Sequence, residues 1–324
     1  MQIFTRTNID FLRWRWHAIA LSTLVIAAGL VLIVARGLPL GIDFSGGTIV
    51  LLKFEKPVTE EAVRGALSGL SGEKVVQQYG ETGGNEILVR LPELVTEQGA
   101  SLEQGAKAVV ASIDKAGLGK YEVRSTEIVG PVIGKDLQRK GIYATLASIG
   151  GILVYIALRF RLSFGVGAVV ATFHDILVTM AFLTFFGYEL SLNVVAAILT
   201  ITGYSVNDTI VIFDRVRENL RSMRRDSLAH VVNTSVNQTL GRTIITAGTT
   251  FLAVFGLYLY GGEVLEGFAF TMLVGIVTGT YSTVFIAAAV AIVMSQVRGH
   301  GRATAVPSAG EAKAKKVTRK VRAS

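Results

Sequence analysis

The sequence predicts an α-helical integral membrane protein with six transmembrane helices and an external α+β domain of the ferredoxin-like (split βαβ) type between helices 1 and 2. Two observations on composition favour the membrane class: 51% of the 324 residues are hydrophobic, and only 17% are charged, compared with about a quarter in soluble domains. The third observation is that the polar residues are unevenly spread. Most of the chain consists of long apolar segments, whereas one stretch, 36–140, has the composition of a soluble fold.

Six segments are long and apolar enough to cross about 30 Å of hydrocarbon, which takes roughly 20 helical residues. We place them at 17–35, 141–158, 165–186, 190–213, 243–260 and 266–295. The first segment lacks the small-residue cleavage site of a signal peptide, so it is interpreted as an uncleaved anchor. Helices 2 to 6 thus fall within 141–297. In the last of them, Gly275 and Gly279 form a GxxxG step, which is typical of close helix packing; a gating role is the alternative.

The distribution of Lys and Arg predicts the orientation. Basic residues cluster before span 1, between spans 2 and 3, between spans 4 and 5, and after span 6, whereas the links 187–189 and 261–265 contain none. The positive-inside rule therefore places both termini in the cytoplasm. The predicted cytoplasmic parts are the N-terminus 1–16, the loop 214–241 and a basic, disordered tail at 298–324. The helical spacing of Leu228, Val231, Val232 and Val236 predicts a separate interfacial or cytoplasmic helix in the second half of that loop. A basic excess in these places predicts contact with anionic lipid and no contact with nucleic acid.

The external domain, 36–140, contains 13 basic and 14 acidic residues and is therefore nearly neutral. A β-rich run opens it, and a helix follows that begins near Thr59 with a partial capping box. Two further β-rich runs flank Gly83-Gly84 and predict a hairpin. An amphipathic helix that ends at Gly117 and a last β-rich run complete the domain. The order strand, helix, strand, strand, helix, strand is the split βαβ pattern.

The motif content argues against an enzyme. The chain contains no cysteine, which excludes disulfides and Cys-ligated zinc. It also contains no P-loop, HExxH or GxSxG motif, so neither an ATPase nor a hydrolase is predicted. We expect no metal and no bound cofactor.

Among the ionisable residues of the predicted membrane helices, Asp208 is the most costly to bury. A carboxylate at membrane depth is therefore expected either to be paired with another group or to have a function. Asp208 lies in span 4 beside Asn207 and one helical turn after Tyr204, and Arg242 begins span 5 with Thr246 one turn further on. Asp208 and Arg242 could form a pair whose strength depends on whether Asp208 is protonated, which would make it a proton-coupling site. The alternatives are a structural ion pair and an Asp side chain that reaches water.

His174 and Asp175 lie midway along span 3. One His and one Asp cannot hold a metal without further ligands. A buried polar contact that joins helices is one interpretation of this pair, and a proton relay is the other.

Several long motifs occur in an order that resembles the SecF family of the bacterial Sec protein-export machinery. The motif GIDFSGGT after span 1 is similar to the family signature, with Gly41, Asp43, Phe44, Gly46 and Gly47 as its matching residues. The run TGYSVNDTIVIFDRVREN is similar to the family's fourth helix, and GRTIITAGTT to its fifth. His174-Asp175 matches the third helix. The resemblance covers about residues 3–298.

The resemblance implies a fold of the resistance-nodulation-division type in which SecD supplies the other half. It also implies late-stage export of a preprotein through the SecYEG channel in the bacterial inner membrane, with protons as the coupling ion and YajC as a further partner. The family's membrane Asp falls on Asp208 and its membrane Arg on Arg242; the main proton carrier could instead be an Asp of SecD. A passive scaffold for SecD and the channel is the alternative function. A small-molecule or lipid exporter is disfavoured because the external domain is small and single.

Overall fold

A computed structural model describes residues 7–70, 74–79, 85–91, 102–160 and 162–297. The described chain is mostly helical and contains one small antiparallel sheet. The predicted tail at 298–324 and the Gly83-Gly84 turn lie outside the described residues.

The first part of the chain consists of one long helix followed by an α/β unit. A 3₁₀ turn, Phe11–Trp14, leads into α1, Arg15–Arg36, and a short helix α2, Ile42–Ser45, follows. The α/β unit then runs through β1 Gly47–Phe54, α3 Glu60–Ala66, β2 Val75–Tyr79, β3 Glu86–Leu91, α4 Leu102–Ala116 and β4 Tyr121–Val129. Its elements therefore occur in the predicted order.

The remaining elements are long helices. They are α5 Pro131–Arg159, α6 Leu162–Phe186, α7 Leu192–Ser222, α8 Leu228–Tyr260 and α9 Glu263–Ser282; a π-helical turn, Thr283–Ala287, then joins α9 to α10, Ala288–Val297. In the described part of the chain, five helical segments are long and apolar enough to cross a membrane: Phe11–Arg36, Ser163–Phe186, Leu192–Ser222, Leu228–Tyr260 and Val264–Val297. The predicted span 141–158 lies within α5, which is not among these five, so the six-span arrangement stays a prediction.

The polar link predicted at 214–241 is mostly helical, in its first half as well as in the second half where a helix is predicted. Helix α7 continues past Phe213, and only a short turn separates it from α8. The Ser227 hydroxyl accepts a hydrogen bond from the His230 N–H and so caps α8. Because no glycine or proline interrupts 228–240, the separate helix predicted there is instead the first part of α8.

The sheet has the strand order β2-β3-β1-β4, and every neighbouring pair is antiparallel. Along β1, Val50, Leu52 and Phe54 alternate with less buried residues and point into the core, as a period of two requires for a sheet with one covered face. Val109 of α4 and Val63 of α3 cover that face. The edge strand β4 remains exposed along most of its length.

The GxxxG step packs α9 closely against α7, which confirms the packing interpretation. A Cβ atom at Gly275 would overlap the side chain of Ile201, and one at Gly279 would lie 2.9 Å from the Ser205 Cβ. Neither glycine could therefore carry a larger side chain without separating the two helices.

We expect Gly275→Val to destabilise the purified chain by about 1–3 kcal/mol, because the added methyl groups overpack the α7–α9 contact. Gly248→Val is the matched control, since a Cβ at Gly248 of α8 meets nothing within 4 Å. The measurement is thermal melting of both variants in detergent. Equal melting temperatures for the two variants would contradict the close α7–α9 packing.

Candidate functional site

Asp208 is buried in the middle of the helical body. It lies on α7 and is 5% exposed. The charge of Arg242 on α8 acts on this carboxylate, yet the two side chains form no ion pair and no hydrogen bond. The structure thus brings the two predicted residues within electrostatic range and leaves a gap between them.

Three of the predicted residues carry buried polar atoms that have no hydrogen-bond partner in the described chain. These atoms are Asp208 Oδ2, the Tyr204 hydroxyl and His174 Nε2. Tyr204 and Asp208 are one turn apart, so they share a side of α7. Folded proteins rarely leave such atoms unsatisfied, because the desolvation is costly. At these three atoms the described chain alone leaves the cost of desolvation uncompensated.

Asp175 is the opposite case, because its carboxylate is fully used. It is 1% exposed, and its Oδ2 accepts hydrogen bonds from the hydroxyls of Ser205 on α7 and Ser282 on α9, at 2.5 Å and 2.9 Å. Its Oδ1 lies 3.0 Å from Nδ1 of His174. One side chain of α6 therefore joins three helices.

His174 extends this network towards the first helix. Its ring stacks on Tyr281, with centroids 6.1 Å apart. The Tyr281 hydroxyl donates to the Ala18 carbonyl of α1 at 2.6 Å and accepts from Ser22 of the same helix at 3.2 Å. The sequence analysis identified His174 and Asp175 but missed Ser282 and Tyr281. A serine or tyrosine within a membrane helix carries too weak a signal to be singled out.

The other predicted residues of the α7–α8 region are exposed. The side chains of Arg242 and Thr246 on α8 and of Asn207 on α7 are exposed. The Thr246 hydroxyl donates to the Arg242 carbonyl of its own helix at 2.9 Å. No hydrogen bond joins Asn207 or Thr246 to Asp208 within the described residues.

The signature residues form α2 and the start of β1: Gly41, Asp43, Phe44, Gly46 and Gly47. Gly46 has a φ of 73° and Gly47 a φ of 129°, in the left-handed region that favours glycine. Phe44 is buried. Asp43 Oδ2 accepts a hydrogen bond of 2.8 Å from the Leu192 N–H, at the first turn of α7. The motif therefore connects the α/β unit to the helix that carries Asp208.

A second polar cluster, which the sequence analysis missed, lies where α6, α8 and α9 end or begin. The Tyr188 hydroxyl donates to Glu266 Oε1 at 2.6 Å and lies 3.2 Å from the Tyr258 hydroxyl. Burial, together with the hydrogen bonds to Glu266 and Tyr258, raises the pKa of Tyr188 far above its ordinary value. Glu266, an acidic residue at the start of an apolar run, was the available signal.

Within the described ranges, no group of three or more His, Asp or Glu side chains could hold a metal ion. The described geometry shows hydrogen bonds that join α6, α7 and α9 and electrostatic attraction between α7 and α8.

Comparison with known families gives two matches. The family described as "Protein export membrane protein SecD/SecF, C-terminal" matches residues 109–297, and the "SecD/SecF GG Motif" matches residues 31–58. The second match includes the signature motif.

Whole-length relatives agree with these matches. The chain is 37% identical to protein translocase subunit SecF of Koribacter versatilis, over 95% of this chain and 96% of that one. It is 38% identical to the SecF subunit of Escherichia coli O157:H7, over 91% and 90%. It is also 42% identical to the SecF subunit of Magnetococcus marinus, over 96% and 99%.

Solved structures of SecDF share the fold. The translocon-associated membrane protein SecDF from Thermus thermophilus superposes with a TM-score of 0.80 at 35% identity, over 91% of this chain. The same comparison covers only 40% of the SecDF chain, so this chain spans less than half of that protein. SecDF in its super-membrane-facing form gives a TM-score of 0.68 at 36% identity. Matches to two SecD/SecF domains and to SecF subunits along nearly their whole length leave one conclusion: the chain belongs to the SecF family of protein translocase subunits.

Proposed function

We propose that the chain acts with a SecD partner in the bacterial inner membrane and uses the proton gradient to promote late-stage protein export through the SecYEG channel. Its relatives are named subunits of a protein translocase. The match covers 40% of the similar SecDF chain, which supports SecD as the second half of the assembly. The preprotein is the substrate that is moved, and YajC is a further partner expected from the resemblance alone.

The same proposal includes six membrane spans, with α5 as the second, and an external domain of the ferredoxin-like type. The strand order β2-β3-β1-β4, combined with the order of strands and helices, supports this type. Leu40, just before the α/β unit, pairs with Leu190 of the α6–α7 link. The unit therefore lies at the end of the helices where the links lack Lys and Arg, which supports an external position and cytoplasmic termini.

The observation that carries the coupling proposal is the buried Asp208 Oδ2 without a hydrogen-bond partner. An ionised carboxylate in this position is stabilised by the charge of Arg242 across the gap between their side chains, and a proton from the gradient would remove that attraction. Helices α7 and α8 would then be free to shift relative to each other. Two states that differ in one proton are what a gradient-driven motor requires.

The outer side of α8 supports SecD as the partner at this site. Arg242, Thr246 and Thr249 lie on that side and are exposed, although α8 is apolar enough to span a membrane. Polar side chains that face hydrocarbon are costly, so we propose that SecD covers them. The exposed edge strand β4 is a second surface proposed for SecD, because a strand of another chain could pair with its free edge.

A passive scaffold for SecD and the channel is the second candidate function, and the same exposed side of α8 favours it. In that case Arg242 and Asp208 would only hold the two chains together.

A basic cleft supports the expected contact with anionic lipid. This cleft, of about 710 Å³, lies between α7 and α8 and is lined by Arg215, Arg217, Arg221 and Arg242. Asp214 and Glu218 pair with Arg217 and Arg215 respectively, and these acidic partners reduce the positive charge of the cleft.

We expect Asp208→Asn and Arg242→Ala each to lower gradient-driven export by about tenfold or more, a typical coupling factor. In neither variant can protonation of residue 208 turn the attraction between α7 and α8 on or off. The measurement is preprotein translocation in membrane vesicles that contain the SecD partner, with and without a proton gradient. Arg221→Ala, which removes an exposed charge from the same cleft, is the control. Gradient-driven export that survives in both variants would overturn the coupling proposal.

The scaffold function makes a different prediction for the same variants. If Asp208 and Arg242 couple protons, the amount of complex that co-purifies with SecD stays unchanged while its turnover falls. If they only hold chains together, the amount of complex falls and the turnover per complex stays constant. Quantifying both in one membrane preparation distinguishes the two functions.

Substitution of Asp175 distinguishes the two interpretations of the His174–Asp175 pair, which are a buried polar contact that joins helices and a proton relay. We propose a structural role, because its carboxylate joins α6, α7 and α9. Asp175→Asn keeps an oxygen acceptor for the two serines, so export should persist. Asp175→Ala leaves the buried Ser205 hydroxyl without its acceptor, which costs about 1–3 kcal/mol, whereas the Ser282 hydroxyl keeps the Gly279 carbonyl at 3.1 Å.

Melting temperature and gradient-driven export are measured on both Asp175 variants. A stable Asp175→Asn protein without export would contradict the structural role and indicate a proton relay.

A further inference from the structure

Arg90 is the residue of the α/β unit that makes the most direct polar contact with the membrane-helix region. Its guanidinium, at the far end of β3, donates to Glu189 Oε1 at 2.6 Å. The same group donates to the Leu40 carbonyl at 2.8 Å and to the Ser45 hydroxyl at 2.6 Å. We call these four residues the Arg90 latch. It joins the sheet, the segment that follows α1, and the α6–α7 link.

The latch holds a segment that also bonds to the α6–α7 link and to the first turn of α7. The Gly41 N–H donates to the Leu190 carbonyl at 2.8 Å, and the Leu190 N–H donates to the Pro39 carbonyl at 2.7 Å. A Cβ at Gly41 would lie 3.0 Å from that Leu190 oxygen, so the approach depends on glycine. Asp43 then accepts from the Leu192 N–H, in a position where a carboxylate also favours the helix dipole.

Helix α7 provides a stiff connection from the latch to Asp208. Leu192 and Asp208 are sixteen residues apart on one continuous helix, which corresponds to about 24 Å at 1.5 Å per residue. Displacement of α7 along or about its axis would therefore move Leu190 and Asp43, and with them the latch.

We propose that Arg90 is a positioning residue for transport: it transmits the movement of α7 to the α/β unit. The inference rests on the proposed function, because it takes proton binding at Asp208 as the cause of that movement. Arginine suits the role because its planar fork can bond several acceptors at once, whereas lysine offers a point charge. The Arg90 side chain is 15% exposed and that of Glu189 36%, so solvent and salt screen this pair less than a fully exposed one.

Loss of the latch should not detach or unfold the α/β unit. Apolar and backbone contacts hold the same region together independently: a Cβ at Gly134 of α5 would lie 3.0 Å from the Phe44 carbonyl oxygen, and Phe44 is buried. The core of the unit, which includes Val89 and Leu91, faces away from the latch and is completed by α3 and α4.

The test compares Arg90→Glu, Glu189→Arg, the double charge swap and Arg90→Lys in the full chain co-expressed with SecD. Lys53→Glu is the matched control, because Lys53 pairs with Glu86 at 2.9 Å within the same sheet and not across to the helices. Two quantities are measured: hydrogen exchange of segments 38–46 and 188–192 in the purified complex, and gradient-driven preprotein translocation in vesicles.

We expect each single charge reversal to raise exchange in both segments and to lower gradient-driven translocation, each by about fivefold or more. The double swap should restore a large part of the exchange protection and of the translocation, since it re-forms the ion pair. Arg90→Lys should give values of both quantities between those of the wild-type chain and of Arg90→Glu. Lys53→Glu should leave both quantities unchanged. A residue that only stabilised the fold would not respond to the charge swap in this way.

Two outcomes would overturn the inference while leaving the proposed function intact. In the first, Arg90→Glu raises exchange but leaves gradient-driven translocation unchanged, while Asp208→Asn abolishes it. In the second, translocation falls but the double swap restores none of it. If Asp208→Asn itself leaves gradient-driven translocation intact, the proposed function fails, and the exchange data still decide whether the latch exists.

Discussion

The packing of the described helices depends above all on which hydrogen-bond donors two buried carboxylates receive. Asp175 receives hydroxyl donors from two neighbouring helices and so fixes α6, α7 and α9 relative to one another. Asp208 lies only three residues beyond Ser205, one of those donors, yet its Oδ2 receives nothing. On the same helix, Ser205 is thus held by its bond to Asp175, whereas Asp208, almost one turn later, carries an oxygen that has no partner in the described chain. This contrast places the capacity for change on the α7–α8 side.

The π-helical turn begins directly after the α9 residue that donates to Asp175. Ser282 and Thr283 are adjacent in sequence, and both are fully buried. The Ser282 hydroxyl reaches Asp175, while the Thr283 hydroxyl lies 3.1 Å from that of Thr209 on α7. A π-helical turn contains an extra residue and so helps neighbouring positions to face the same side. The local widening of this helix is therefore part of the polar network.

Much of the fold could be predicted because it follows local patterns. Apolar length predicts the long helices, and alternation along β1 predicts a strand whose Val50 and Leu52 are buried. In the link 214–241, the spacing of Val231, Val232 and Val236 predicts the helical second half, but the polar residues after Phe213 gave no sign that α7 continues to Ser222. Asp208 could be found because a carboxylate in an apolar run is conspicuous. Arg90 could not, because its partner Glu189 is 99 residues away and no periodicity links the two.

The described chain alone does not explain why α8 exposes both apolar and polar side chains. Leu252, Phe255 and Leu259 are exposed on this helix, as lipid contact allows, but Arg242 and Thr246 are exposed as well. Hydrocarbon would stabilise the first group and destabilise the second. A helix with both kinds of surface requires two environments around its circumference, one of lipid and one of protein. The match covers 40% of a SecDF chain, so under the proposed function the protein environment beside Arg242 is the SecD half, and the partner of Asp208 belongs to the assembled pair.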